Sequence, residues 1–419
     1  MNNSQRHSQH FNLFIIGSLF FILGFVTWLN AILMPFLQEA CELTTFQASF
    51  VPFAFYISYF VTAIPSSFIL KKTGFSDGMS FALLIMALGA LVFIPAAISR
   101  SYILFLMGLF VQGIGLSLLQ TAVNPYTTII GPIESAARRI SIMGICNKVA
   151  GMIGIFLLSK VLFSGGKELL ASLKNISDPL LREPLLQSLS QRVIVPYIIM
   201  AVILVVLAFL IKMARLPEIN EEEDGNTSEK SRKSIFSYPY LWLGVLAIFF
   251  YVGAEVISID YLSRYGTFLG FSQEVANSLS IYALIALVAG YLLGIFTVPR
   301  FISQRKALML QLLLAVILVC VALFTTGWIS AGAIILLSFS HAIMWPAIWP
   351  LSIHNLGRHT KLGSALLVMA ISGGAIMPLV YGKLSDIYNP QMAYTILFVC
   401  YAYILFFALA GYKVGKIKS

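Results

Sequence analysis

Apolar runs of more than about 18 residues recur from one end of this chain to the other, each long enough to cross a hydrocarbon layer of ~30 Å as a helix. Twelve can be laid out, at roughly 12–37, 46–70, 79–98, 102–128, 140–162, 193–213, 239–263, 273–298, 306–326, 329–351, 362–384 and 392–412. Hydrocarbon offers backbone groups no water, so segments of this kind fold as helices that satisfy their own hydrogen bonds. The expected fold class is therefore an all-α membrane protein with twelve transmembrane helices. Only 11% of the 419 residues are charged, too few to coat a soluble chain of this length. No cleavable leader is expected, because residues 1–10 are polar and the apolar run after them is too long for a signal core.

The net charge of +10 would suggest nucleic acid in a soluble protein; here it reads as topology. With both termini placed inside, 18 of the lysines and arginines fall in inner segments and 8 in outer ones, five of those eight in or beside one long loop at 163–192. The bias predicts cytoplasmic termini. Between the sixth and seventh runs, "RLPEINEEEDGNTSEKSRKS" is acidic and lacks apolar periodicity, the composition of a linker. It divides the chain into an amino-terminal half (1–213), a cytoplasmic linker (214–236) and a carboxy-terminal half (237–419), two six-helix halves around a central cavity. Secondary transporters are built from such repeats, with the substrate site at mid-membrane between them. A channel would need a filter-like loop, and an intramembrane enzyme would need a catalytic set; the five histidines have no such spacing. The four cysteines, Cys41, Cys146, Cys320 and Cys400, show no CxxC pattern, so they are expected to form neither a disulfide nor a metal site, and no cofactor is expected.

Polar groups inside the runs point to the site. In "FVTWLNAILMPFLQ", Asn30 serves either inter-helix hydrogen bonding or a ligand. Gln120 and Asn124 in "GLSLLQTAVNPYTTIIGP" are four apart and share a helix face; two amides there suit vicinal hydroxyls. Asn147 and Lys148 in "RRISIMGICNKVAGMIG" lie about two turns past the arginines, which makes Lys148 a snorkelling cation, a hydroxyl donor or the partner of a carboxylate. Trp345 and Trp349, each followed by proline, predict a deformed helix lining a cavity, with rings that can stack on a pyranose.

Two acids remain, Glu255 and Asp260. They are five residues apart and do not share a face. Asp260 is four from Arg264, which predicts a local ion pair. Glu255 has no such neighbour and is the leading candidate for ligand or ion chemistry.

The stretches "LLQTAVNPYTTIIGPIESAARRISIMGICNKVAG", "YVGAEV" and "MWPAIWPLSIHNLGRHTKLGSALLVMAISGGAIMPLVYGKLSD" resemble the fucose–galactose–glucose symporter family of the major facilitator superfamily, nearest to its bacterial glucose/galactose transporter branch. The resemblance implies a hexose–cation symporter of the bacterial inner membrane, with sugar contacts at Gln120, Asn124 and Asn147. One departure stands out. Fucose-type members carry an aspartate directly after the first-span asparagine, where this chain has Ala31, and a fourth-span glutamate where it has Gln120. Coupling then moves to Glu255, with or without Asp260, or is lost. A sodium ion would draw on Asn30, Gln47, Asn124, Glu255 and Asp260; a proton needs one acid; a uniporter needs neither. The expected partners are a neutral hexose, H+ or Na+ and the lipid bilayer, without nucleic acid and as a monomer. An anion carrier would place arginines inside spans, and a sugar sensor would carry a signalling domain for which the termini are too short. The 163–192 loop, with leucines at irregular helical spacing, predicts a short amphipathic cap outside the membrane.

Overall fold

A computed structural model describes residues 3–129, 136–163, 178–214, 234–298, 300–353, 356 and 360–415. It holds twelve helical spans: Ile15–Ala40, Thr45–Leu70, Lys72–Ile98, Tyr102–Val123, Ile142–Leu162, Leu180–Ala214, Pro239–Asp260, Gln273–Thr297, Gln304–Phe324, Gly327–Ile353, Ala365–Ile387 and Pro390–Lys413. They are spans 1 to 12 below. The sixth is two helices, Pro179–Gln191 and Ile194–Ala214, of which the second is the apolar one.

Spans 7, 10 and 11 bury 67% of their apolar windows and spans 6 and 8 bury 33%, so the former are enclosed by protein and the latter face lipid. Each of the three enclosed spans is interrupted. Span 7 stops at Asp260 and restarts as Leu262–Phe268. Span 10 breaks at Ala342 and Ile343, since Pro346 has no N–H for the Ala342 carbonyl. Span 11 tightens into a 3-10 turn at Ala370–Ser372. Span 1 bends at Leu29 between helices Asn3–Trp28 and Asn30–Ala40. Irregular backbone at this depth is tolerated where protein rather than lipid surrounds it. Gly74, at φ 77°, turns the chain between spans 2 and 3 in a conformation glycine adopts at little cost.

The first six spans meet the last six along a seam closed at the end of the bundle remote from Ala214 and Pro239. The short helix Thr45–Ala48 there is capped twice over. Thr44 and Gln47 form a capping box, and the Asp386 carboxylate of span 11 accepts the Thr45 N–H at 3.1 Å and the Phe46 N–H at 2.9 Å. Close by, the Tyr261 hydroxyl donates to Ser49 Oγ (2.5 Å) and to the Pro378 carbonyl (3.1 Å). Gly382 makes this approach possible, because a Cβ at that position would overlap the Ser49 hydroxyl.

Of the loop read as a cap, Pro179–Gln191 is helical, with Asp178 as N-cap. Its tethers are Arg100–Glu183 (2.8 Å), Arg182–Glu42 (2.8 Å) and the Gln187 amide on the carbonyls of Ala97 and Ile98 (3.1 and 2.9 Å). The rest of that loop, 164–177, lies outside the described residues, as does most of the linker.

Replacing Asp386 with alanine removes one of the contacts by which the second half holds the first at this end. The loss of a capping carboxylate costs about 0.5–2 kcal/mol, so opening at this end should rise about 2- to 30-fold. In a cysteine-free background carrying Ser49→Cys, a membrane-impermeant thiol reagent applied from that side should label correspondingly faster. An unchanged rate would remove Asp386 from the closure.

Candidate functional site

Lys148 of span 5 and Glu255 of span 7 meet across the seam, Nζ to Oε1 at 3.5 Å, each only 8% exposed. The lysine is the partner that local sequence could not supply to Glu255. Its placement is built from small residues. Gly24 lets span 1 lie directly on the backbone of Asn147, and Gly151 leaves room for the Trp28 ring to lie across span 5. Trp28 Nε1 then donates to Asn147 Oδ1 at 3.1 Å, and Asn147 Nδ2 donates to the Phe20 carbonyl at 3.4 Å. The ammonium of Lys148 stands 4.1 Å from the centroid of the same indole, a contact worth about 2 kcal/mol when desolvated. Trp28 thus fixes both members of the Asn147–Lys148 pair.

Tyr251, one turn before Glu255, carries the site toward span 10. Its ring lies 6.2 Å from those of Trp345 and His341. Trp345 and Trp349 stack at 5.1 Å and 27°, both half-buried. Behind them His341, fully buried, ties three spans together. Its Nδ1 faces Ser258 Oγ at 3.3 Å and its Nε2 faces the Tyr401 hydroxyl at 2.8 Å, while Ser258 donates to the Glu255 carbonyl. The acid and the tryptophans are therefore held in one rigid frame.

From the first half, Gln120 Nε2 donates to the Tyr59 hydroxyl at 3.1 Å, and Tyr59 stacks on Tyr56 at 6.3 Å. Tyr56 reaches the other half, packing with Val256 about Gly374, within electrostatic reach of Glu255 and Asp260. The side chain of Asn124 lies outside the described residues. Asn30, 1% exposed, donates to the Thr27 carbonyl of the preceding helix, across the interruption at Leu29.

The expected Asp260–Arg264 ion pair is absent. Span 7 ends at Asp260 and Tyr261 (φ −91°, ψ −3°) interrupts the helix, so four-residue spacing no longer brings the two together. Arg264 faces Tyr381, Asp386 and Glu39 instead, and neither Asp260 oxygen has a hydrogen-bond partner among the described residues. Sequence inspection passes over Tyr56, Tyr59, Tyr251, His341 and Ser258. Two of these carry a signal: Tyr251 and His341 each precede a candidate residue, Glu255 and Trp345, by four. Among the described residues no three histidine, cysteine or acidic side chains gather to hold a metal ion.

Residues 16–374 match the Major Facilitator Superfamily. A glucose/galactose transporter of Brucella abortus is 33% identical over 98% of this chain and 96% of its own length. The L-fucose-proton symporter of Escherichia coli K12 is 32% identical over 94% of this chain and 91% of its own. Among solved structures, the transporter FucP in its outward conformation superposes with a TM-score of 0.71 at 31% identity, covering 98% of this chain and 100% of FucP. A twelve-span helical bundle, a charged pair across its seam and likeness along nearly the whole chain lead to one conclusion: this chain belongs to the Major Facilitator Superfamily, in the group that contains the glucose/galactose transporters and the fucose–proton symporters.

Proposed function

We propose that this protein takes up a neutral hexose of the glucose, galactose and mannose class, together with a proton, across a bacterial inner membrane. Transport proceeds by alternating access, the halves 1–213 and 237–419 rocking about the seam on a cytoplasmic linker at 214–236. Both termini are cytoplasmic, the closed end of the seam faces outward, and the monomer is the working unit. The names of the relatives support a sugar and a proton.

The observation that carries this reading is the content of the seam. Among the described residues one cation, Lys148, lies far from a span end, and it is already matched by Glu255. A site with zero net charge, amide side chains and a stacked tryptophan pair suits a ligand that is polar by hydroxyls and apolar by ring face. An organic anion would find no surplus positive charge. In this reading Gln120, Asn124 and Asn147 serve the sugar from the first half, and Trp345 and Trp349 wall it from the second. Lys148 and Glu255 exchange part of their mutual contact for sugar hydroxyls. Asn30 is assigned to the bend in span 1.

In proteoliposomes, labelled glucose, galactose and mannose should compete with one another for uptake. Displacement by an organic anion and by no hexose would end the reading. Replacing Trp345 or Trp349 with alanine removes a stacked face worth ~0.5–1.5 kcal/mol beyond its burial, so affinity should fall about tenfold. Unaltered binding in both variants would return the pair to packing.

The ion pair has its own test. Removing one partner of a buried pair strands the other charge, at a cost of about 3–5 kcal/mol. Lys148→Met should therefore lower thermal stability sharply. Adding Glu255→Gln should restore much of that stability without restoring sugar binding. If the double variant is no more stable than Lys148→Met alone, the two residues are not coupled.

A further inference from the structure

Asp260 closes span 7 at 0% exposure, the one buried aspartate among the described residues. Neither carboxylate oxygen finds a hydrogen-bond partner there. The titratable groups that face it are Glu255 on its own helix, Tyr56 from span 2 and its chain neighbour Tyr261, and none is a cation. Arg264 is turned to Tyr381, Asp386 and Glu39, and Lys148 is engaged with Glu255. A carboxyl cut off from both water and counter-charge is neutralised by a proton or by a bound metal ion. A hard cation needs several oxygens around it, whereas a proton needs the carboxylate alone, and the one carboxylate that faces Asp260, Glu255, is engaged with Lys148.

We infer that Asp260 is the site of the proton that crosses with the sugar, and that with the seam closed it stands as the carboxylic acid. This rests on the symport reading above and divides the labour between the two acids of span 7. Glu255 belongs to Lys148 and the sugar, and Asp260 belongs to the proton. Its place in the closure gives it a route. Tyr261, the next residue, donates to Ser49 across the seam, and Asp386 caps Thr45–Ala48 at the same end. Parting those contacts uncovers Asp260 on the outer side, where the carboxylate takes a proton from hydronium and leaves water. Closing them buries the neutral acid, and release to inner water reverses the step with no other reactant consumed.

The test pairs a readout that needs no sugar with one that does. Infrared difference spectra of the reconstituted wild type should contain a carboxylic-acid carbonyl band that shifts when aspartate is labelled with heavy carbon. The band should vanish in Asp260→Asn and survive in Glu255→Gln. In sugar assays, Asp260→Asn should exchange labelled hexose across the membrane but lose accumulation under an imposed proton gradient. Glu255→Gln should bind hexose more weakly while what it accumulates still follows that gradient. A band that ignores aspartate labelling would overturn the assignment, as would wild-type accumulation by Asp260→Asn. Wild-type uptake driven by a sodium gradient and indifferent to pH would overturn it in favour of sodium. If no hexose moves in any of the three proteins, the substrate reading falls, and the infrared band still decides Asp260. Should Asp260→Asn fail to fold, the response of the wild-type band to aspartate labelling decides by itself.

Discussion

A charge in hydrocarbon must be answered by another charge or be given up, and the interior of this bundle is organised around that demand. Lys148 and Glu255 answer one another at 3.5 Å from opposite halves. Their match makes a polar mid-membrane seam tolerable, because an unpaired buried charge is costly. The surroundings follow from it. Trp28 bridges the residue before the lysine and lies under its ammonium, while Tyr251 and the His341–Ser258 link hold the helix that bears the glutamate. Small residues at 24 and 151 exist to let these bulky groups lie flat.

The pair also has a mechanical meaning. It joins the halves near the middle, while Asp386 and Tyr261 join them at one end. A ligand that engages both partners of the pair keeps the middle joined when the end contacts part. Binding and rocking are then linked by geometry, with no separate relay between them. The breaks in spans 7 and 11 fall on helices that carry these contacts, where a bend lets one half of a span shift while the other stays packed.

Much of this is legible in the sequence. Twelve apolar runs foretell the bundle, and the break at Ala342 and Ile343 is written in the proline that follows Trp345, while the helix Met344–Ile353 runs unbroken through Trp349. The helix Pro179–Gln191 is readable from its leucines. Glu255 stands out because nothing nearby can neutralise it, and its partner lies 107 residues away, a distance no local rule spans. Asp260 is misread for a related reason. Four-residue spacing to Arg264 presumes an unbroken helix, and the interruption at Tyr261 comes from tertiary contacts with Ser49 and Pro378 that spacing does not encode. The tyrosines and His341 escape notice because a buried aromatic with a hydroxyl or ring nitrogen looks the same in sequence whether it frames a site or fills a core.

The helix Pro179–Gln191 is moored to Glu42, Ala97, Ile98 and Arg100, all at the far ends of spans 1 to 4, and by no described hydrogen bond or ion pair to the second half. It is a visor fastened to one side of the hinge. Whatever tilts the first half carries the visor with it as a single piece, while the second half swings beneath an unattached edge. A bulky tag, an antibody fragment or a fluorophore grafted there would ride on the first half and report its inclination without loading the contacts that open and close.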